Sequence, residues 1–355
     1  MTALRIAIAG FGLSGEIFHA PLVEATPGLS VAAVATSNPV RAARARAQYP
    51  GVVVAADAGG LLAAAEHIDA LVVATPNRLL IPIARAALHR RLPVVLDKPL
   101  APDADDAQAL VDDFAAAEVP LTVFQNRRWD GDFLTVRRVV ESGSLGRITR
   151  LESRYERFRP EVGDAGWREL PGPAEGGGLL LDLGAHLVDQ ALTLFGPVTR
   201  VYAEIDVRRP GAQVDDDVFV ALEHAGGVRS HLWMSAVAPV GGRSLRVSGT
   251  HGGIQTPGLD PQEDQLAAGL RPGDAGWGEG EPARLVDRAG DERRMAIAPG
   301  AYERFYTGVR DALHGEGPMP VDPRESVAAL RVIDAARRSA ASHTVIEAIT
   351  TGGST

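Results

Sequence analysis

Short apolar runs recur along the first third of the chain: LRIAIAG at 4–10, SVAAVAT at 30–36 and IDALVVAT at 68–75. Alanine-rich stretches with helical spacing lie between them, and another, ARAALHRR, follows at 84–91. A strand that is apolar at nearly every position has both faces buried, so the alternation predicts a parallel sheet covered by helices. LPVVLDK at 92–98 and VPLTVFQ at 119–125 bring the series to five candidate strands. Beyond residue 145 the period changes. ITRLESRYERF and DDVFVALEH alternate polar and apolar positions, which predicts antiparallel strands with one face solvated or covered by a partner. The expected fold class is α/β, with an N-terminal parallel sheet over 1–123 and a C-terminal α+β domain with a large open, mainly antiparallel sheet over 124–345. Within the latter, 252–292 is rich in glycine, proline and acidic residues and is expected to be a long loop or arm with short strands. Residues 346–355, ending TTGGST, are expected to be a flexible tail.

Composition narrows what such a chain can do. A length of 355 residues, 45% of them hydrophobic, supports two domains with substantial cores. The net charge of −9 argues against a general nucleic-acid surface, which needs a clustered positive footprint. RAARARAQ at 41–48 is the nearest candidate and is read as a solvated helix face. No apolar run approaches the ~20 residues needed to cross a bilayer, and MTALRIAIAGFG runs into a strand without the layout of a signal peptide. A cytoplasmic location with no membrane partner is expected. The absence of cysteine excludes disulfides, thiolate zinc sites and a cysteine nucleophile, so redox chemistry must come from a bound cofactor. No metal site is expected.

GFGLSG, comprising Gly10, Phe11, Gly12, Leu13, Ser14 and Gly15, follows the first strand and leads into a helical segment. In that context the glycines permit a tight turn, close approach of backbone to a pyrophosphate, and close helix–strand packing. His19, just downstream, is read as helix packing rather than as a ligand. The second strand ends in Thr36, Ser37 and Asn38, with no acidic group to repel a 2′-phosphate, and Arg41 is placed to pair with one. NADP is therefore expected over NAD, which stays as the alternative. Thr75, Pro76 and Asn77 end a further strand at the same sheet edge.

The chain carries a single lysine, Lys98, against 35 arginines. A coding bias that spared one lysine explains this without chemistry. Chemistry explains it differently, because an ammonium relays a proton and acts as a compact point charge, whereas a guanidinium stays protonated. Lys98 follows a strand of the parallel series, so it should face the crevice of the glycine loop. In EGGGLLLDLGAHLVDQAL, at 175–192, Asp182 and His186 stand four apart and are expected to share one helix face, with Asp189 a turn further on. Dehydrogenation of an alcohol needs a base for the hydroxyl proton, and histidine suits that task near neutrality.

GFGLSG, ATPN, DKP and GGGLLLDLGAHLVDQ together resemble the Gfo/Idh/MocA family of NAD(P)-dependent oxidoreductases. The resemblance covers nearly the whole chain and implies an N-terminal Rossmann domain joined to an α+β domain. It implies a catalytic group of Lys98, Asp182 and His186: proton relay and oxygen polarisation, substrate positioning, and acid/base respectively. Pro99 of the DKP motif would line the cofactor. VFQNRRWDGDFLTV, RYERFRPEV, WRE and GLDPQED resemble the branch that includes NADP-dependent scyllo-inositol dehydrogenases, implying a cyclic polyol or sugar substrate. Asn126 would then sit near the nicotinamide, Trp167 and Arg168 would form the cofactor wall, and Arg128 and Tyr155 would line the substrate pocket. Each of these outer residues has interface or core packing as its alternative role. Asp97 stands where many relatives have glutamate, and Leu80 where a histidine often follows the TPN motif.

A homodimer or homotetramer packed through the C-terminal sheet is expected from the same resemblance. Two other functions share the fold: a dinucleotide-binding sensor without chemistry, and a redox-neutral lyase or glycosidase that oxidises its substrate transiently with bound NAD. The complete lysine–aspartate–histidine set speaks against the sensor.

Overall fold

The computed structural model describes residues 3–64, 67–162 and 176–347. Six parallel strands form the first sheet: β1 (Leu4–Ala9), β2 (Leu29–Ala35), β3 (Val53–Ala55), β4 (Ala70–Val73), β5 (Val94–Asp97) and β6 (Leu121–Phe124). Their order is β3-β2-β1-β4-β5-β6, so the winding reverses between β1 and β4, the switch point at which nucleotides bind in open α/β sheets. Five of the strands are the apolar runs. The sixth, β3, has three residues at the sheet edge and no fully buried side chain, too short and too exposed to register as an apolar run.

Helices α1 (Ala20–Glu24), α2 (Pro39–Gln48), α3 (Ala58–Ala64), α4 (Leu80–Leu88) and α5 (Ala104–Ala116) link these strands. A wide, π-type turn over Ser14–His19 opens α1. Asn38 starts α2 by accepting the Val40 and Arg41 N–H groups, with Pro39 at the first helical position, where a missing N–H costs nothing.

The second sheet has nine strands in the order β14-β13-β12-β11-β7-β10-β9-β8-β15. They are β7 (Ile148–Phe158), β8 (Val198–Asp206), β9 (Asp217–His224), β10 (Arg229–Ser235), β11 (Val237–Gly249), β12 (Gly252–Pro257), β13 (Ala283–Val286), β14 (Glu292–Met295) and β15 (Ile346–Glu347). All pairings are antiparallel except β7 with β10. The segment 252–292 holds β12 and β13 as expected, and also a helix, α9 (Gln262–Ala267), that its composition conceals. One face of the sheet is covered by α6 (Gly131–Glu141), α8 (Gly184–Phe195) and α11 (Pro323–Ser342); α7 (Leu179–Asp182) precedes α8, and α10 (Glu303–Leu313) packs elsewhere.

Two cores result. One joins the α3–α5 face of the first sheet to the inner face of the second through α8 and α11. The other lies on the opposite face of the first sheet, where Ile6, Ile8, Phe11 and Leu22 meet Tyr302, Phe305 and Tyr306 at the start of α10. Phe305 is fully buried and stacks edge-on against Phe124 and Trp129, a side chain worth roughly 1.5–3 kcal/mol of burial. A helix from the C-terminal part of the chain thus completes the nucleotide-binding half. No helix among the described residues is long and apolar enough to cross a membrane.

Candidate active site

The glycine loop leaves β1 at the switch point. Gly10 has φ +100°, and a Cβ on it would lie 2.3 Å from Ala74 O; one on Gly15 would lie 2.0 Å from Gly10 O. Both glycines are therefore required by the protein's own packing. Gly12 differs, because the nearest atom to its added Cβ is Arg41 Nη1 at 3.8 Å. Space over Gly12 is open to a ligand that must approach the backbone closely. Thr75, which touches the Gly10 turn, has its hydroxyl oxygen buried without a hydrogen-bond partner among the described residues. Open space above one glycine and an orphaned hydroxyl beside another fit the pyrophosphate and ribose of a dinucleotide. Phe11 turns its ring into the core against Tyr49 and leaves only backbone to the loop, while Leu13 is exposed.

Ser37, Asn38 and Arg41 lie together at the exposed end of β2 and start of α2. Asn38 spends its side-chain oxygen on the helix cap, and the Arg41 guanidinium folds back toward Gly12. No ion pair within the described residues occupies it. Pro76 and the buried Asn77 follow Thr75, and Asn77 donates to Gly176 O at 3.2 Å, tying this strand end to the glycine run before α7.

Lys98 follows β5 at the same sheet edge, and its peptide to the buried Pro99 is cis. Its Nζ donates to both Asp182 Oδ1 and Asp182 O at 2.7 Å. The continuous helix expected across Asp182 and His186 is interrupted: α7 ends at Asp182, and α8 begins at Gly184. At the break the His186 N–H bonds Leu183 O at 3.1 Å, a contact three residues back, and the Asp182 carbonyl turns to the lysine. Asp215 sets up this geometry from β9's approach, accepting the Leu180 N–H at 2.7 Å and filling the space where a Gly178 Cβ would stand.

His186 is 6% exposed, and its Nδ1 is buried without a hydrogen-bond partner among the described residues. Burial, joined by the charges of Lys98, Arg127 and Arg243, pushes its pKa well below the usual imidazole range. A neutral ring beside a fixed ammonium is the state in which histidine accepts a proton.

The outer residues divide. Arg128 is wholly engaged: it bonds both oxygens of Asp189 at 2.6 and 2.8 Å and Glu325 at 2.6 Å, tying α8 to α11. Asp189, the residue a turn beyond His186, is thus committed to structure. Tyr155 is buried, with the Arg127, Arg157 and Arg243 guanidiniums 4.6–5.5 Å from its ring centre. Asn126 is 7% exposed. Trp167 and Arg168 lie outside the described residues. Sequence reasoning passed over Arg127 and Arg243, which meet at Asp130 Oδ2 at 3.4 and 3.0 Å and set the charge around His186. Nothing in the NRRWD string separates Arg127 from its neighbour.

A parallel sheet with a glycine loop at its switch point, joined to a large mixed sheet, defines the class of two-domain NAD(P)-binding oxidoreductases. Residues 4–125 match the oxidoreductase family with NAD-binding Rossmann fold, and residues 133–255 match the GFO/IDH/MocA C-terminal domain. The chain belongs to the Gfo/Idh/MocA oxidoreductase family. It is 35% identical to an uncharacterised oxidoreductase, YdgJ, of Escherichia coli K12, over 95% of this chain and 96% of that one. It is 31% identical to the NADP-dependent scyllo-inositol 2-dehydrogenase IolW of Bacillus subtilis, over 95% and 93%. A crystal structure of an oxidoreductase from Bacillus cereus matches with a TM-score of 0.84 at 29% identity, covering 97% of this chain and 98% of the other.

Proposed function

We propose that this oxidoreductase interconverts a ring hydroxyl and ketone of a cyclic polyol or sugar, using NADP. The observation that carries the reading is the Lys98 ammonium, held at 2.7 Å by two oxygens of Asp182 beside a neutral, buried His186. The nicotinamide, when bound, takes or gives the hydride. The remaining steps belong to side chains. In the oxidative direction the unprotonated ring nitrogen of His186 takes the hydroxyl proton as the carbon loses hydride, and in reduction it returns it. The Lys98 ammonium donates to the substrate oxygen and stabilises the charge that develops there. Asp182 fixes the ammonium and orients the substrate. Arg128, fully engaged elsewhere, is not part of this set.

NADP is favoured because β2 ends without an acidic side chain and Arg41 reaches back over the glycine loop. The similarity to IolW supports the polyol class. We also propose that the chain assembles as a homodimer or homotetramer through the outer face of the second sheet, where Phe219, His231 and Trp233 lie half-buried and Trp233 stacks on Arg154. Sedimentation velocity tests the assembly. The test of function is initial-rate absorbance at the nicotinamide band, with NADP and NAD, across scyllo-inositol, myo-inositol and a panel of aldoses. Turnover with NADP and an inositol is expected; silence across the panel with cofactor binding intact overturns the reading.

A further inference from the structure

A second buried histidine stands behind the lysine. His19 is fully buried at the end of the turn that follows the glycine loop. Its Nδ1 lies 2.6 Å from the Tyr306 hydroxyl, and its Nε2 lies 3.7 Å from Asp97 Oδ2. The Phe124 ring packs 4.4 Å from it, centre to centre. Asp97 in turn accepts the Lys98 backbone N–H at 2.9 Å through its other oxygen.

The proton arrangement along this chain follows from its two ends. Burial, together with the charge of Asp97, raises the Tyr306 pKa well above the usual phenol range, so its hydroxyl keeps its proton in the 2.6 Å contact with Nδ1. In the tautomer where Nδ1 accepts from Tyr306, Nε2 carries the ring proton toward the carboxylate. At 3.7 Å that contact is electrostatic rather than a hydrogen bond, and Nε2 has no hydrogen-bond partner among the described residues. Burial alone would raise the Asp97 pKa; the interactions with His19, the Ser14 hydroxyl and Lys98 outweigh it and hold the carboxyl below its ordinary value. Asp97 is therefore an anion that faces His19, at the end of the turn after the glycine loop, on one side and bonds the lysine backbone on the other.

We propose that His19 is a positioning residue for Lys98: anchored by Tyr306 of α10, it holds Asp97 so that the glycine loop and the lysine form one rigid unit. The inference rests on the reading of Lys98 as the group that meets the substrate oxygen. It assigns to α10, from the C-terminal part of the chain, the alignment of a residue in the nucleotide-binding half. Misplacement of a catalytic group by about 1 Å costs on the order of a hundredfold in rate, so such a brace has consequences for turnover.

Because Lys98 is the only lysine, selective 13C labelling at lysine Cε yields one side-chain resonance to follow. The experiment compares H19F, H19Q and Y306F with the wild-type protein in three measurements: the Lys98 resonance, NADP affinity by nucleotide fluorescence, and thermal midpoint. H19F is expected to move the Lys98 resonance and weaken NADP about tenfold, with kcat on the polyol falling about tenfold to a hundredfold. H19Q, whose amide can still bridge a hydroxyl and a carboxylate, should restore most of each loss. Y306F, which removes one hydrogen bond, should shift the same readouts by about fivefold at most. If H19F does not fold, Y306F and H19Q decide. Folded variants with an unmoved Lys98 resonance and unchanged NADP affinity overturn the proposal. A resonance that moves in a protein that turns over no polyol would leave the brace standing and sink the proposed substrate class instead.

Discussion

Two buried histidines flank Lys98, and their surroundings differ in one respect. His19 lies between a tyrosine hydroxyl and a carboxylate, with protein groups facing both ring nitrogens. The His186 Nδ1 has no hydrogen-bond partner among the described residues, and burial, joined by nearby cations, keeps the ring neutral. The same contrast separates Gly15 from Gly12 and Arg128 from Arg41. In the glycine and arginine pairs the first member is consumed by the protein's own structure and the second is left open; His19 is hydrogen-bonded at one nitrogen and faces an anion with the other. Buried polar groups are ordinarily satisfied, so the unspent members are the ones a ligand would complete under the proposed function.

Five substitutions test the contrast. The largest effect is expected for Lys98→Arg. A planar guanidinium cannot relay a proton from the Asp182 cradle, so kcat should fall about 10³-fold with NADP affinity within threefold of wild type. Near-normal turnover would return Lys98 to an accident of coding.

Next is His186→Asn, expected to cost about 10²-fold in kcat with little change in cofactor binding. The wild-type acid limb of kcat/KM should lie below the usual imidazole range, since the ring stays unprotonated until more acidic pH. The sign for stability follows from the same shift. Below about pH 6.5 the unfolded ring binds a proton that the folded ring refuses, so stability falls as pH drops through that region. H186N should flatten that decline in urea melts at successive pH values.

Arg41→Ala should raise the KM for NADP about tenfold and leave that for NAD unchanged, the loss of one charge-assisted contact to a 2′-phosphate. Equal effects on both cofactors would remove the argument for NADP. The smallest structural effect is expected for Gly12→Ala, which should leave the thermal midpoint within about 2 °C because its Cβ meets no atom closer than 3.8 Å, while weakening cofactor binding. Gly15→Ala, driven into Gly10 O, should lower the midpoint itself. A matched loss in both would show that the loop's glycines serve packing alone.

Much of the framework was legible in the residue order. Five strands announced themselves as apolar runs, and β3 did not because three half-exposed residues leave too little pattern. The candidate site was legible where chemistry and spacing coincide: one lysine after a strand, and an aspartate four residues before a histidine behind a glycine run. A four-residue spacing predicts an unbroken helix, whereas the break at Leu183 is what turns the Asp182 carbonyl toward Lys98.

The sequence by itself determined the parallel sheet, the position of its glycine loop and the identity of the groups at its edge, because strand periodicity and turn chemistry are local properties. Only the tertiary structure decided which of two adjacent arginines braces α8 and which approaches Tyr155, and that His19 stands against Asp97 under a tyrosine 287 positions away. Those choices depend on which side chains meet across elements far apart in the chain, and no local pattern encodes a partner it does not contain.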